Sequence, residues 1–292
     1  MISGQTQLFG VFATPISHSL SPFIHNLAFQ QQGIDGVYLA FDTPLSHLKA
    51  SIESIPLLGM GGANLSMPLK TASMALMDEL SSEVSLIGAM NTIVPVDNQL
   101  VGYNTDGLGF YKHLASQQVP YLNQSMTIFG VGGAATAIIA QGAKEGVGEF
   151  FVLKRPNDTW DAAEKKLKEI AKKTQCEIHL LSSDNPQNIH QSIKKSDMIV
   201  NGTNVGMTPL EDISLVPNRE WLTPEKVVVD VVYQPQETYL LKQAASQGCQ
   251  RFNGLGMLLG QAAYSYELWT HQAMPVAYIQ KELEKKLIGE KK

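Results

Sequence analysis

The sequence predicts a two-domain α/β protein: an N-terminal α/β substrate domain, a doubly wound domain built on a parallel sheet, and C-terminal helices that return to the first domain. Three observations predict it. Short β-branched runs alternate with helical stretches, the pattern of parallel strands joined by crossover helices. A glycine-rich loop, Gly130-Val131-Gly132-Gly133-Ala134-Ala135, separates an apolar strand from an Ala/Ile-rich helix, as in a Rossmann-like dinucleotide-binding unit. The chain has 292 residues, beyond the roughly 250 at which single cores stop growing, so two lobes with a ligand cleft are expected. The expected boundaries are 1–106, 107–253 and 254–292.

Residues 8–13 read as a short apolar strand that ends at Thr14-Pro15 and runs into a Ser-rich loop. Ser21 before Pro22 reads as a helix cap with proline at the first helical position, and Gly33 stops that helix. Residues 37–42 and 62–66 read as strands, and 44–54 and 68–80 as helices. Residues 89–96 and 100–104 form a hairpin around Asp97-Asn98, and Thr105-Asp106-Gly107 opens another helix. In the second domain, 126–129, 149–153, 176–180, 198–201 and 227–232 read as strands. The glycine loop opens a helix that runs to Gly146, and 186–195 reads as another helix. A helical tail covers 256–290, and its last charged run, 281–292, reads as a solvated helix end.

Composition narrows the function. With 44% hydrophobic and 17% charged residues and no low-complexity tract, the chain is a globular protein. A net charge of -5 argues against a nucleic-acid partner, which needs a basic face to neutralise phosphates. Cys176 and Cys249 form neither a CxxC nor a zinc spacing, so reduced thiols and no metal are expected. No apolar run approaches the roughly 20 residues that span a bilayer, and residues 1–9 lack a basic stretch with an apolar run behind it. A cytoplasmic enzyme without a membrane partner is expected. No heptad or isolated apolar face marks an interface, and a homodimer stays open.

The loop matches G-x-G-x-x-A at Gly130, Gly132 and Ala135. Gly130 makes the tight turn, Gly132 lets backbone approach a pyrophosphate, and Ala135 permits close helix packing, with Gly133 and Ala134 completing the cradle. At the end of the next strand an acidic residue would serve NAD and an arginine NADP. Lys154 and Arg155 favour NADP, while Asp158, three positions on, could reach a ribose hydroxyl, so the cofactor is NADP or NAD.

Several further motifs occur in order. They are Pro15-Ile16-Ser17-His18-Ser19-Leu20-Ser21-Pro22 with His25-Asn26; Asn64-Leu65-Ser66-Met67-Pro68-Leu69-Lys70; Gly88-Ala89-Met90-Asn91-Thr92; Gly102-Tyr103-Asn104-Thr105-Asp106-Gly107; Asp230-Val231-Val232-Tyr233-Gln234-Pro235; and Gly254 to Gln261. Together they resemble the shikimate dehydrogenase family along nearly the whole chain. The resemblance implies reversible NAD(P)-dependent reduction of 3-dehydroshikimate to shikimate. It implies that Ser19 and Ser21 hold the substrate carboxylate, that Ser66, Asn91, Asp106, Tyr233 and Gln261 hydrogen-bond the substrate, and that Lys70 and Asp106 form the catalytic pair. Gly254 and Met257 would border the nicotinamide, with Thr203 and Val232 on the cofactor side. Four departures resemble the quinate/shikimate branch, which implies quinate as a further substrate: Ser66 for Thr, Gly202-Thr203-Asn204 for Ala-Thr-Ser, Thr136 for Arg, and Lys154-Arg155-Pro156 for Asn-Arg-Thr.

The residue types agree with that chemistry. A ring bearing hydroxyls and a carboxylate needs many short polar partners, because each buried group left unpaired costs about 1–3 kcal/mol. Hydride removal also needs a base within reach of the hydroxyl. A methylene-tetrahydrofolate dehydrogenase would share the layout but want a flat aromatic slot for its pterin. A non-catalytic dinucleotide- or metabolite-binding regulator would have no need of both Lys70 and Asp106. His18 and His25 are expected to be hydrogen-bonded structural residues.

Overall fold

The structure, a computed structural model, describes residues 2–289; residues 290–292 of the charged C-terminal run lie outside them. Two compact units are present, one of Met1–Gly109 with Leu259–Lys292 and one of Phe110–Leu258.

The first unit holds β1 (Gln7–Ala13), α1 (Ser21–Gln32), β2 (Gly36–Asp42), α2 (Leu48–Leu57), β3 (Gly62–Leu65), the single turn α3 (Leu69–Ala72), β4 (Glu79–Leu80), α4 (Ser82–Ile87), β5 (Thr92–Val96), β6 (Gln99–Tyr103) and the start of α5 (Asp106–Ser116). Its sheet runs β2-β1-β3-β5-β6-β4. The first three strands are parallel, while β5 is antiparallel to both β3 and β6. The β5–β6 hairpin turns at Asp97 and Asn98, whose φ angles of 46° and 65° are those of a two-residue turn matched to strand twist. Gly33 ends α1 with φ 67°, a left-handed position suited to a residue without Cβ.

Two expectations are corrected here. Ser21 is the first residue of α1 rather than its cap; Leu20 takes the cap position, and no side chain bonds there. Residues 68–80 are not one helix: α3 gives way to a 3-10 turn at Ser73–Leu76 and then to β4. Tertiary pairing overrides helical pattern at that point. Asp78 N donates to Leu100 O at 3.0 Å and Leu100 N donates to Asp78 Oδ2 at 2.7 Å, which draws the chain into extended pairing beside β6.

The second unit holds β7 (Ser125–Phe129), α6 (Gly133–Glu145), β8 (Glu149–Lys154), α7 (Trp160–Thr174), β9 (Glu177–Ser182), α8 (Pro186–Lys195), β10 (Met198–Asn201), β11 (Val227–Asp230), α9 (Tyr239–Ser246) and β12 (Gln250–Phe252). Its sheet is parallel throughout, in the order β12-β11-β10-β7-β8-β9. The first strand is central, the next two lie to one side and the last three to the other, which is the Rossmann order. The switch point lies between β7 and β10, and the glycine loop leaves β7 there. The core packs Phe129, Leu153, Ile193, Ile199 and Val228 without solvent exposure beyond 1%. Strands buried on both faces in this way read as near-continuous apolar runs.

The chain ends in α10 (Leu255–Thr270) and α11 (Val276–Gly289). Trp269 of α10 packs on Phe9, with ring centroids 5.4 Å apart, and donates its indole N–H to Ile93 O at 3.0 Å. α5 and α10 approach at Gly109 and Gly260 so closely that a Cβ on Gly260 would lie 2.3 Å from Gly109 O. Neither backbone can yield as a side chain would. Gly260→Ala is therefore expected to cost about 1–3 kcal/mol, read as a fall of several degrees in the thermal melting midpoint.

Candidate active site

Lys70 lies in α3, directly after the short buried strand β3, and Asp106 is the first residue of α5, directly after β6. The strand order places β5 between β3 and β6, and Met90 N donates to Lys70 O at 2.9 Å, so the two loops meet. Lys70 Nζ donates to Asp106 Oδ2 at 2.6 Å, with the side chains 17% and 8% exposed. A charge-assisted contact of that length, reachable from outside at the ammonium, presents one proton-bearing group held by one carboxylate.

The rest of the carboxylate is fixed from inside the unit. Asn91 Nδ2 donates to Asp106 Oδ1 at 2.9 Å and to Thr105 Oγ1 at 3.0 Å. Its orientation follows from the backbone: Thr105 N can only donate, and it donates to Asn91 Oδ1 at 2.9 Å, so the amide NH₂ must face Asp106. Asp106 N is in turn held by Asn104 Oδ1 at 3.0 Å.

A second buried layer supports Asn91. Asn64 Nδ2 donates to Asn91 O, Thr92 Oγ1 and Ser265 Oγ at 3.0–3.1 Å, and Asn64 Oδ1 accepts from the Tyr38 hydroxyl at 2.7 Å. The Ser21 side chain also bonds the Tyr38 phenol, whose pKa burial pushes well above its usual range. Since the Tyr38 hydrogen is already given to Asn64, Ser21 supplies its own. Ser19 Oγ accepts from Ser21 N at 3.3 Å, a bond that does not use its hydroxyl hydrogen. Gln261 comes to within 3.5 Å of Asn91 Nδ2 through its Oε1. Ser66 follows β3 and is fixed at the backbone by Ser66 N donating to Phe12 O at 3.0 Å. Lys70, Asp106, Asn91 and Gln261 thus form one connected group, and Ser21 joins it through Tyr38 and Asn64.

His25 corrects an expectation. It is structural, but neither ring nitrogen has a hydrogen-bond partner. The ring is fully buried and stacks on Tyr38 at 4.4 Å and 10°, and burial lowers its pKa to about 3.

In the second unit the glycine loop has the form a pyrophosphate needs. Gly130 has φ 97°, and a Cβ there would meet Thr203 Cγ2 at 2.7 Å. Gly132 has nothing within 4 Å of where a Cβ would stand, so its backbone faces open space. It caps α6 with no side-chain bond, which leaves the first helical N–H groups to an anion. At the end of β8, Lys154 Nζ is tied to Asn157 Oδ1 and Arg155 O, while Arg155 and Asp158 are exposed. Met257 and Gly254 are buried, and burial raises the pKa of the Tyr233 phenol. At the start of β8 and β9, Glu149, Glu177 and His179 bring ligand atoms within 4.8 Å of one another, a grouping that the 2.8 Å His179–Glu149 contact accounts for.

Comparison with known proteins gives the same assignment from outside. Residues 11–93 match the shikimate dehydrogenase substrate-binding domain, and 254–284 the shikimate 5'-dehydrogenase C-terminal domain. The shikimate dehydrogenase (NADP(+)) of Listeria monocytogenes is 44% identical over 282 residues, 97% of this chain and 97% of that protein. The chain belongs to the shikimate dehydrogenase family. Among solved structures, the Listeria monocytogenes shikimate 5-dehydrogenase in complex with shikimate and NAD superposes with a TM-score of 0.93 at 44% identity, covering 97% and 98% of the two chains. The quinate dehydrogenase of Corynebacterium glutamicum in complex with NAD gives 0.85 at 26% identity, covering 96% and 99%.

Within the family framework, sequence reasoning missed the supporting layer of Tyr38, Asn64, Thr105 and Ser265. Asn64 and Thr105 were in view, each inside a quoted motif. Tyr38 and Ser265 carry no local signal, since an isolated Tyr in a strand and an isolated Ser in an apolar helix are ordinary. Among the described residues no helix is long and apolar enough to cross a membrane.

Proposed function

We propose that this chain catalyses the reversible NAD(P)-dependent reduction of 3-dehydroshikimate to shikimate. The observation that carries the reading is the 2.6 Å contact of Lys70 Nζ with Asp106 Oδ2, set among short polar side chains suited to a hydroxylated cyclic acid. When bound, the nicotinamide cofactor supplies hydride exchange at the ring carbon. The proton on oxygen is the protein's task. In the reducing direction the Lys70 ammonium polarises the ketone and gives its proton to the new alkoxide; in the oxidising direction the neutral amine takes the hydroxyl proton. Asp106 orients both the amine and the substrate hydroxyl, and Asn91 holds Asp106 in register. Ser19 and Ser21 receive the carboxylate, with Ser66, Tyr233 and Gln261 on the ring hydroxyls.

The residues of the second unit fit a dinucleotide. Gly130, Gly132, Gly133, Ala134 and Ala135 would cradle the pyrophosphate, and Thr203, Val232, Gly254 and Met257 would hold the nicotinamide half. Arg155 would serve a 2'-phosphate and Asp158 a free ribose. Arg155→Ala is accordingly expected to weaken NADP about ten-fold, the scale of one charge-assisted contact, with NAD binding unchanged; equal loss for both would remove Arg155 from cofactor choice. We place the enzyme in the cytoplasm, in keeping with the free thiols of Cys176 and Cys249.

Steady-state kinetics with shikimate and quinate against NAD and NADP tests the whole reading. Turnover of shikimate with at least one cofactor is expected. Tight binding of both ligands with no turnover of either acid would replace it with the regulator.

A further inference from the structure

β11 ends on Asp230, which is 0% exposed at the carboxyl edge of the second sheet. Its partners are three hydrogen donors. Asn201 Nδ2 and Val232 N donate to Oδ1 at 2.8 and 2.9 Å, and the Thr238 hydroxyl donates to Oδ2 at 2.6 Å. Each partner begins a segment that bears on the cofactor side. Asn201 stands directly opposite Asp230 in the β10–β11 register. With its amide turned by the carboxylate, its Oδ1 accepts from Thr203 N and Oγ1 at 2.9 and 2.7 Å, and its other amide hydrogen goes to Val205 O at 2.8 Å. Val232 O accepts from Gly254 N at 3.0 Å. Thr238 caps α9 and fills the space beside Gly206, where a Cβ would meet Thr238 Cγ2 at 2.8 Å.

We propose that Asp230, as an ionised carboxylate, is a positioning residue for the dinucleotide, locking Thr203, Val232 and Gly254 into one rigid edge. The proposal rests on the reading that this edge holds the cofactor. Three donors converge on the carboxylate, so an added proton either opposes the Asn201 and Val232 donors at Oδ1 or reverses the Thr238 hydrogen bond at Oδ2, and in both cases the remaining contacts lose their charge assistance. The hold on the 201–205 turn and the Val232 backbone would then loosen, and cofactor affinity would fall. Burial raises the Asp230 pKa to about 6 against the lowering effect of Thr238, Val232 and Asn201, with no charged side chain adding to either. The transition therefore lies within reach of a binding titration.

Fluorescence titration of NADH and NADPH on the full chain reads the affinity directly. In the native protein Kd should rise as pH falls through about 6. Asp230→Asn, which removes the charge from all three contacts and forces the Thr238 hydrogen bond to reverse, should raise Kd about ten-fold near pH 7.5 and flatten its pH dependence. Thr238→Val keeps the carboxylate but removes a donor that favours its charged form, so the midpoint of the Kd–pH curve should move upward. A merely structural threonine would leave that midpoint in place, and this variant decides the matter if Asp230→Asn does not fold. Native affinity in Asp230→Asn, or an unmoved midpoint in Thr238→Val, overturns the proposal. Gly132→Asp separates the two ways of failing. If it binds both dinucleotides like the native chain, the cofactor reading itself is wrong; if it loses them while Asp230→Asn does not, only the positioning role is lost.

Discussion

Lys70→Ala is expected to lower kcat by roughly 10²- to 10⁴-fold, the usual contribution of a positioned acid-base group, equal to about 3–5 kcal/mol of barrier. The size follows from geometry. Lys70 Nζ has a carboxylate partner at 2.6 Å and is the cationic member of the Lys70–Asp106–Asn91 cluster, so on the proposed mechanism its loss removes the proton donor in one direction and the acceptor in the other. Asp106 would remain held by Asn91 Nδ2 and the rest of its cradle, and the variant should fold. Cofactor Kd, measured without turnover, should stay native, which confines the effect to the chemical step. A kcat within two-fold of native would remove Lys70 from the mechanism.

The second large effect concerns stability in acid. His25 is fully buried with its folded pKa lowered to about 3 by desolvation, whereas in an unfolded chain it titrates near 6.5. Below about pH 6.5 the unfolded state binds a proton that the folded state refuses, so each further pH unit favours unfolding by roughly 1.4 kcal/mol until the folded value is reached. The stability from keeping His25 neutral is thus complete above the unfolded pKa and drains away toward acid. Denaturant unfolding of the native chain and of His25→Leu checks this. Lost stacking on Tyr38 costs the variant the same at every pH, so the gap between the two curves should close by about 2 kcal/mol between pH 7.5 and 5. Parallel curves would mean that His25 does not resist protonation.

Much of the fold was legible because local and tertiary preferences agreed. Asp97-Asn98 tolerates the left-handed angles its hairpin requires, and α8 and β10 were bounded correctly by Pro186 and by a run of apolar residues. The failures have separate causes. α7 went unread although Ala163, Leu167 and Ile170 form its buried face, because eight charged residues obscure that stripe in a fifteen-residue helix. α9 and β12 were missed for their shortness. Residues 68–80 carry a helical pattern that Asp78 overrides by pairing with Leu100. His25 was expected to be hydrogen-bonded because buried polar groups usually are; aromatic stacking took that place.

Motif order singled out Lys70, Asp106 and Asn91, and the structure brings the three into one hydrogen-bonded group. The layer behind them was not legible. Tyr38 and Ser265 reach Asn64 from a strand 26 residues before it and a helix 201 residues after it, and no local window contains such a pairing.

That distance has a consequence for how the protein is made. The unit carrying Lys70 takes Met1–Gly109 from one end of the chain and Leu259–Lys292 from the other, with Ser265 and Trp269 filling its interior. During synthesis, which proceeds from the N-terminus, the residues of the intervening unit emerge as one uninterrupted stretch, while the Lys70 unit waits for its closing helices. A ribosome stalled short of residue 259 would leave the Phe9 and Asn64 surfaces bare, and the nascent chain would have to be kept from sticking to its neighbours until translation ends.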